Sequence, residues 1–210
     1  MKLYYFPLAP NPTKVRLYLA EKSLAGASLS IEPILVNLRE GEQKSPAHLE
    51  RNPLGKLPVL EIDEGDYLSE SLPIILFLEE HCPNPPMVGT TPGERAHTLT
   101  IERIAELGVL FPMARIVHAT DSPLGLPPNP AVAEYSRAAL PAGLQLLNDR
   151  LADGRPFLMG EQPTVADCTL AAGLQFGRFG KIEVDPGYTH LRRWNDHYRE
   201  RPAAQEVLVL

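Results

Sequence analysis

Leu57-Pro58-Val59-Leu60-Glu61-Ile62-Asp63-Glu64-Gly65-Asp66-Tyr67-Leu68-Ser69-Glu70-Ser71 decides the fold. Leu57 to Ile62 is a short apolar run of strand type, Asp63-Glu64-Gly65-Asp66 is a hairpin turn, and Tyr67-Leu68 is the returning strand. Ser69-Glu70-Ser71 then opens a helix, with Leu72, Ile75 and Leu76 on one face. Upstream, Lys2 to Phe6 reads as a buried strand that stops at Pro7. Val15, Tyr18 and Leu19 fall at i, i+3 and i+4 of a helix, with Asn11 placed to cap it and Pro12 suited to its first turn. Ile31 to Val36 forms the next strand, so the first 36 residues make a parallel βαβ unit with a right-handed crossover. A short helix near Ser45 to Arg51 leads into the ββα unit, and the compact α/β region ends near Cys82.

From Pro83 to Pro92 the chain turns to Pro-Asn-Pro-Pro and Gly-Thr-Thr-Pro-Gly, a linker composition. No strand pattern follows it. Leu107, Leu110, Phe111 and Ala114 suggest a long helix bending at Pro112. Beyond the Pro-rich stretch 122–130, Leu140, Leu144, Leu147 and Leu151 line another helix. Thr164-Val165-Ala166-Asp167 fits a capping box ahead of an apolar run to Phe179, and Leu191, Trp194 and Tyr198 mark a last helix. The expected division is an α/β domain over 1–82, a linker over 83–92 and an all-helical domain over 93–210.

The chain has 210 residues, 44% hydrophobic and 22% charged, enough to bury a sizeable core. No apolar run approaches the roughly 18 residues of a membrane span, and no signal-peptide pattern opens the sequence, so a cytoplasmic location is expected. Twenty basic against 26 acidic residues give a net charge of -6, and no basic cluster follows a nucleic-acid backbone. Cys82 and Cys168 both lie in helix-like apolar segments and read as buried reduced thiols; neither belongs to a CxxC pair. The six histidines show no metal-ligand spacing, and no metal is expected. The 22 prolines are scattered rather than clustered in a low-complexity tract, which marks them as punctuation in a folded chain.

Chemistry concentrates in three segments. A proline at position 58, where the third strand begins, lets Leu57 offer both backbone groups to something outside the sheet, and a cis Leu57-Pro58 bond suits the turn. The alternative is a proline that merely blunts an edge strand. Glu70-Ser71 at a helix start presents a carboxylate, a hydroxyl and free N–H groups at one point, which suits the ammonium and carboxylate of an amino acid; simple capping is the other reading. Gln43-Lys44 can supply an amide and a cation to another carboxylate, or be solvated surface.

Together these segments resemble the soluble glutathione transferase family, over essentially the whole chain. The resemblance rests on Glu42-Gln43-Lys44-Ser45-Pro46, Asn52-Pro53-Leu54-Gly55-Lys56-Leu57-Pro58, Leu68-Ser69-Glu70-Ser71, and Met159-Gly160 leading to Pro163-Thr164-Val165-Ala166-Asp167, with phi-, theta- and nu-like character of bacterial type. It implies a thioredoxin-like domain with a mixed four-stranded sheet, an all-α second domain and a homodimer. It also implies reduced glutathione as cosubstrate: Glu70 and Ser71 for the γ-glutamyl end, the Leu57 backbone for the cysteinyl unit, and Gln43, Lys44 and Lys56 for the glycyl carboxylate and its surroundings. Thr164 and Asp167, like Pro58, are implied to serve structure.

The implied reaction is attack of the glutathione thiolate on a small apolar electrophile, which requires a donor aimed at sulfur. Here the sequence departs from the family pattern, because Ala9 stands where many members carry the activating hydroxyl. Asn11 becomes the leading candidate: its amide can donate to a thiolate at a helix N-terminus, and a bacterial nu-like subgroup has Asn in that place. Tyr5 is the second, by its match to the tyrosine-type members; packing under the first helix is its other role. Thr13 is expected to face along the helix. The electrophile is expected between the domains, against Leu8 and Ala9 on one side and Phe111, Met113 and Ala114 on the other. Two rival functions share the same fold: glutathione-dependent disulfide or peroxide reduction, and glutathione binding without catalysis.

Overall fold

The computed structural model describes residues 1–210. Four strands, β1 (Lys2–Tyr5), β2 (Glu32–Leu35), β3 (Val59–Asp63) and β4 (Asp66–Ser69), form one mixed sheet in the order β2-β1-β3-β4. β1 pairs parallel with β2, Lys2 opposite Glu32, and antiparallel with β3, Leu3 opposite Leu60; β4 returns antiparallel to β3 through the Glu64-Gly65 turn. Side chains alternate along β1. Tyr4 donates to Glu61 at 2.6 Å, and Lys2 reaches the same carboxylate at 3.3 Å, whereas Leu3 enters the main core. Helices α1 (Pro10–Leu24) and α3 (Ser71–His81) pack in that core with Leu3 and Leu60, and α2 (Pro46–Arg51) follows two short 3-10 turns.

Six helices build the rest: α4 (Pro92–Ala105), α5 (Phe111–Thr120), α6 (Pro130–Arg150), α7 (Val165–Phe179), α8 (Thr189–Arg199) and α9 (Pro202–Val207). α9 was not expected from the sequence; its six residues carry too little periodicity to register. Leu140, Leu144, Leu147 and Leu151 form a buried face on and just beyond α6, as expected. At the start of α7, Asp167 accepts from Thr164 N–H at 2.8 Å, Leu158 N–H at 2.9 Å and Trp194 Nε1 at 2.9 Å, so one buried carboxylate joins three segments. Burial pushes this carboxyl above its ordinary value, against the pull of those hydrogen bonds.

Two expectations need correction. The helix expected to bend at Pro112 is interrupted before it, by a wider π-helical turn over Glu106–Leu110. Pro112 has no N–H to give the Gly108 carbonyl and its ring crowds that carbonyl, so the chain loosens one turn earlier. The wider turn shifts the helical phase: Leu107 and Phe111 stand 58% and 42% exposed, while Leu110 and Met113 go inward. Cys82 is not in a helix interior; it follows α3 as its C-terminal cap and is half-buried, while Cys168 is buried as expected.

The π-turn permits a close helix crossing. A Cβ on Gly143 of α6 would lie 2.7 Å from Gly108 Cα. Alanine is the better helix former by about 1 kcal/mol, yet Gly143→Ala is expected to lower the unfolding free energy in urea by about 1–3 kcal/mol through overpacking. Gly93→Ala, where a Cβ meets nothing within 4 Å, is the control and should be neutral or stabilising. Equal loss at both positions would contradict the close crossing.

Candidate functional site

α1 begins with Pro-Asn-Pro after its N-cap Ala9. Pro10 and Pro12 have no N–H, Ala9 N–H bonds to Phe6 O, and Thr13 N–H bonds to Ala9 O. Asn11 is therefore the one first-turn residue whose backbone N–H points out of the helix end without a backbone partner, and the positive end of the helix dipole is concentrated there. Asn11 lies inside the first turn and makes no capping bond, contrary to its expected capping role. Its Oδ1 instead accepts from the Ser71 hydroxyl at 3.3 Å, which leaves the amide N–H₂ to donate elsewhere. The Thr13 hydroxyl is turned back onto Ala9 O at 2.9 Å and Pro7 O at 3.1 Å and is not available to a ligand.

Ser71 is buried at the first position of α3, and Glu70 before it is exposed with φ 70°. A non-glycine residue in the left-handed region costs about 1–3 kcal/mol and persists where its surroundings impose it, often at a ligand site. Here it leaves Glu70 exposed immediately ahead of the first N–H groups of α3, which have no helical partners because no helical turn precedes them.

Leu57-Pro58 is cis, and neither backbone group of Leu57 has a backbone partner. The loop before it is fixed from behind, since Lys56 O accepts from Asn52 Nδ2 at 3.0 Å and lies 3.2 Å from His48 Nε2. Gly55, at φ 60°, has its missing Cβ position 2.9 Å from Gln43 O, so the 3-10 turn carrying Gln43 lies directly on this loop. Gln43 Oε1 is buried without a partner, while Lys44 and Lys56 are exposed. These segments together offer a free extended backbone, two cations and an acid–hydroxyl pair.

An apolar cavity of about 60 Å³ lies between sheet domain and helices. Phe6, Leu8, Ala9 and Pro10 form one wall, and His118, Phe176 and Phe179 form the other. Leu8 and Ala9 are where the sequence suggested, but Phe111, Met113 and Ala114 do not line this cavity. The π-turn is the reason: it faces Phe111 to solvent and drives Met113, 0% exposed, against Gly177 of α7. His118, one turn further along α5, takes the position instead. Its Nδ1 lies 3.0 Å from Ser122 Oγ, and burial pushes its pKa below the ordinary value, so the ring is neutral at pH 7 with its second nitrogen free. Sequence reading missed this pair, because a lone His four residues before a Ser matches no motif. Tyr5 lies apart from this site, its ring under the Arg16 guanidinium at 5.1 Å in a different cleft. No group of three or more His, Cys, Asp or Glu side chains is placed to hold a metal ion, and no helix is long and apolar enough to cross a membrane.

The architecture is a thioredoxin-like sheet domain packed on an all-helical domain, with polar groups around the β3–α3 junction beside an interdomain apolar cavity. Residues 3–86 match the model of the glutathione S-transferase N-terminal domain and residues 130–197 that of the C-terminal domain. The chain is 31% identical to glutathione S-transferase 2 of Saccharomyces cerevisiae over 218 residues, spanning all of this chain and 90% of that one. Among solved structures, Gtt2 of the same yeast is similar at 30% identity and a TM-score of 0.88, over 99% of this chain and 100% of that one. A glutathione S-transferase domain-containing protein of Marinobacter aquaeolei is similar at 31% identity and 0.89, over 97% and 100%. The chain belongs to the glutathione S-transferase family and is an enzyme of that kind, with glutathione as the family's cosubstrate.

Ser71→Ala removes a hydroxyl that meets only Asn11 in the free protein. Titration calorimetry with reduced glutathione should show affinity reduced by about tenfold, the worth of a hydrogen bond to a charged group, with an unchanged circular dichroism spectrum. Wild-type affinity in this variant would remove Ser71 from the glutathione site.

Proposed function

We propose that this enzyme transfers reduced glutathione to a small apolar electrophile held in the interdomain cavity. The observation that carries the reading is the junction of α1 and α3, where Ser71 meets Asn11 beside the outward-turned Glu70. Glu70 and Ser71 take the γ-glutamyl end of glutathione. The unpaired backbone of Leu57 takes the cysteinyl unit as an added strand, and Gln43, Lys44 and Lys56 take the glycyl carboxylate. So placed, the cysteinyl sulfur lies at the α1 N-terminus, beside Ala9. The residues divide into a glutathione-binding domain over 1–82, a linker over 83–92 and a helical domain over 93–210. The location is the cytoplasm, and the assembly is a homodimer; the exposed Leu107 and Phe111, four residues apart on the outer side of the α4–α5 region, support the dimer.

Asn11 acts on the sulfur with its backbone N–H and its amide, both stronger toward a thiolate than toward a thiol. An Ala at position 9 leaves this role to Asn11 and leaves room for the electrophile. His118, neutral and fixed by Ser122, accepts the thiol proton directly or through a water. Each unit by which the thiol pKa falls from about 8.5 is worth about 1.4 kcal/mol. The aromatic pair Phe176 and Phe179, with centroids 5.7 Å apart, favours flat apolar electrophiles.

Thiolate absorbance of the glutathione complex against pH tests the assignment. Asn11→Ala should raise the bound thiol's pKa by about one unit, and Tyr5→Phe should not; the reverse order would transfer the role to Tyr5. His118→Gln should lower kcat by about ten- to a hundredfold toward 1-chloro-2,4-dinitrobenzene. Because burial lowers the His118 pKa, any fall in wild-type kcat beyond that due to titration of the bound thiol should lie below the ordinary imidazole value near 6.5. A further fall centred above that value, not matched by the thiolate absorbance, would contradict a neutral, buried His118.

A further inference from the structure

We infer that Arg39 makes the transfer site selective for electrophiles that carry a carboxylate on their apolar body, an inference that rests on the transfer reading above and names its substrate class. Arg39 sits in the 3-10 turn Leu38–Glu40, just after β2, and lines the interdomain cavity together with Leu38. Every other lining residue is apolar except His118, which is neutral, so Arg39 brings the only permanent charge to that cavity. It is exposed and takes part in none of the chain's ion pairs. The acids nearest in sequence leave it free: the Glu42 carboxylate accepts from Asn37 N–H at 2.6 Å, and Glu40 forms no ion pair. The turn itself is pinned, because Asn37 Oδ1 accepts from Arg39 N–H at 3.1 Å and Gly41 closes it at φ 76°. A cation on such a turn is presented from a fixed point of the rim.

The size of the cavity makes this cation matter. At about 60 Å³ it falls well short of the roughly 300 Å³ at which small-molecule sites begin. It takes the reacting end of an electrophile, and the rest of the molecule lies across the rim, between Leu38 and Arg39 on one side and Pro123 and Leu124 on the other. What the rim offers to that outer part is one unpaired guanidinium among apolar side chains. A guanidinium matches a carboxylate through two parallel N–H···O bonds. At an exposed rim both charges keep part of their hydration, so the contact avoids the desolvation cost of a buried pair. The stacked Phe176 and Phe179 rings hold the apolar body at the inner end. The preferred substrate is therefore a flat acid whose electrophilic carbon enters toward the start of α1 and whose carboxylate stays at the mouth. Neutral electrophiles of the same shape are accepted without the added contact, and cationic ones are repelled.

4-Chloro-3,5-dinitrobenzoate and its methyl ester are the probes. In both, the glutathione thiolate forms a C–S bond at the chlorine-bearing carbon, and chloride leaves with the electron pair of the C–Cl bond. Dividing each rate by the uncatalysed rate at the same pH removes the difference in intrinsic reactivity. Arg39→Met should lower the normalised kcat/KM for the acid by about fivefold, the worth of an exposed ion pair, and Arg39→Glu should lower it further. Both variants should leave the ester's kcat/KM and the KM for glutathione at wild-type values, and Arg39→Lys should keep part of the preference for the acid. High salt should shrink the wild-type preference. Equal effects on acid and ester, or no effect on either, would overturn the inference. So would a raised KM for glutathione, which would place Arg39 on the cosubstrate instead. A wild-type enzyme that turns over neither the ester nor 1-chloro-2,4-dinitrobenzene would overturn the transfer reading itself, and this inference with it.

Discussion

Everything in this molecule hangs on the clamping of α1. The helix is buried nearly all round, including side chains that normally seek water. Lys14 is gripped by Glu102 of α4 and by Glu106 at 2.8 Å; Thr169 of α7 donates to the same Glu102 at 3.1 Å. Arg201, ahead of α9, holds Glu21 at 2.6 Å. Lys22 bonds Glu79 at 2.7 Å and the carbonyls of Cys82 and Pro85 at 2.7 and 2.6 Å, while Tyr18 donates to Glu79 at 2.7 Å. Glu79 completes the circle by accepting from Met87 and Val88 N–H. Breaking one buried pair leaves a bare charge and costs about 3–5 kcal/mol, whereas a well-packed apolar substitute for both partners is often neutral. These pairs therefore specify position more than they add stability: they orient α1 against α3, the segment from Cys82 to Val88 and the helical domain at once.

The consequence for function is geometric. The free N–H in the first turn of α1 is that of Asn11, next to Pro10, which lines the interdomain cavity, and the ion pairs near both ends of the helix hold that turn in place. In the proposed reading the polar contacts fall to the sheet domain, while the apolar cavity is shared, with Phe6, Leu8, Ala9 and Pro10 of the sheet domain on one side and the helical domain on the other. The sheet domain contributes backbone groups, Ser71 and the strained Glu70, and the helical domain contributes Phe176, Phe179 and the neutral His118. In the proposed mechanism the thiolate forms at the seam, where the helix end favours the anion and the apolar walls keep water away.

Much of this was legible in the sequence because it rests on local rules. The ββα segment, the Leu57-Pro58 junction, the Thr164–Asp167 box and the Leu140–Leu151 face all follow from turn chemistry, proline and periodicity. The misreadings have physical causes. The apolar pattern around Leu107 to Ala114 presumed an unbroken 3.6-residue period, and the π-turn before Pro112 broke it, moving Phe111 and Met113 out of the pocket and His118 into it. Asn11 looked like a cap because Pro12 follows it, but Pro10 starts the helix two residues earlier and Ala9 becomes the cap. The ion pairs of α1 join residues 57 to 180 positions apart, a separation no local pattern reports.

The most direct test of the account is a crystal structure of the protein soaked with reduced glutathione. The account predicts the sulfur within hydrogen-bonding reach of Asn11 at the start of α1, the γ-glutamyl group on Glu70 and Ser71, and the peptide backbone paired with Leu57. Sulfur placed against the Tyr5 hydroxyl, or glutathione bound away from the α1–α3 junction, would contradict it.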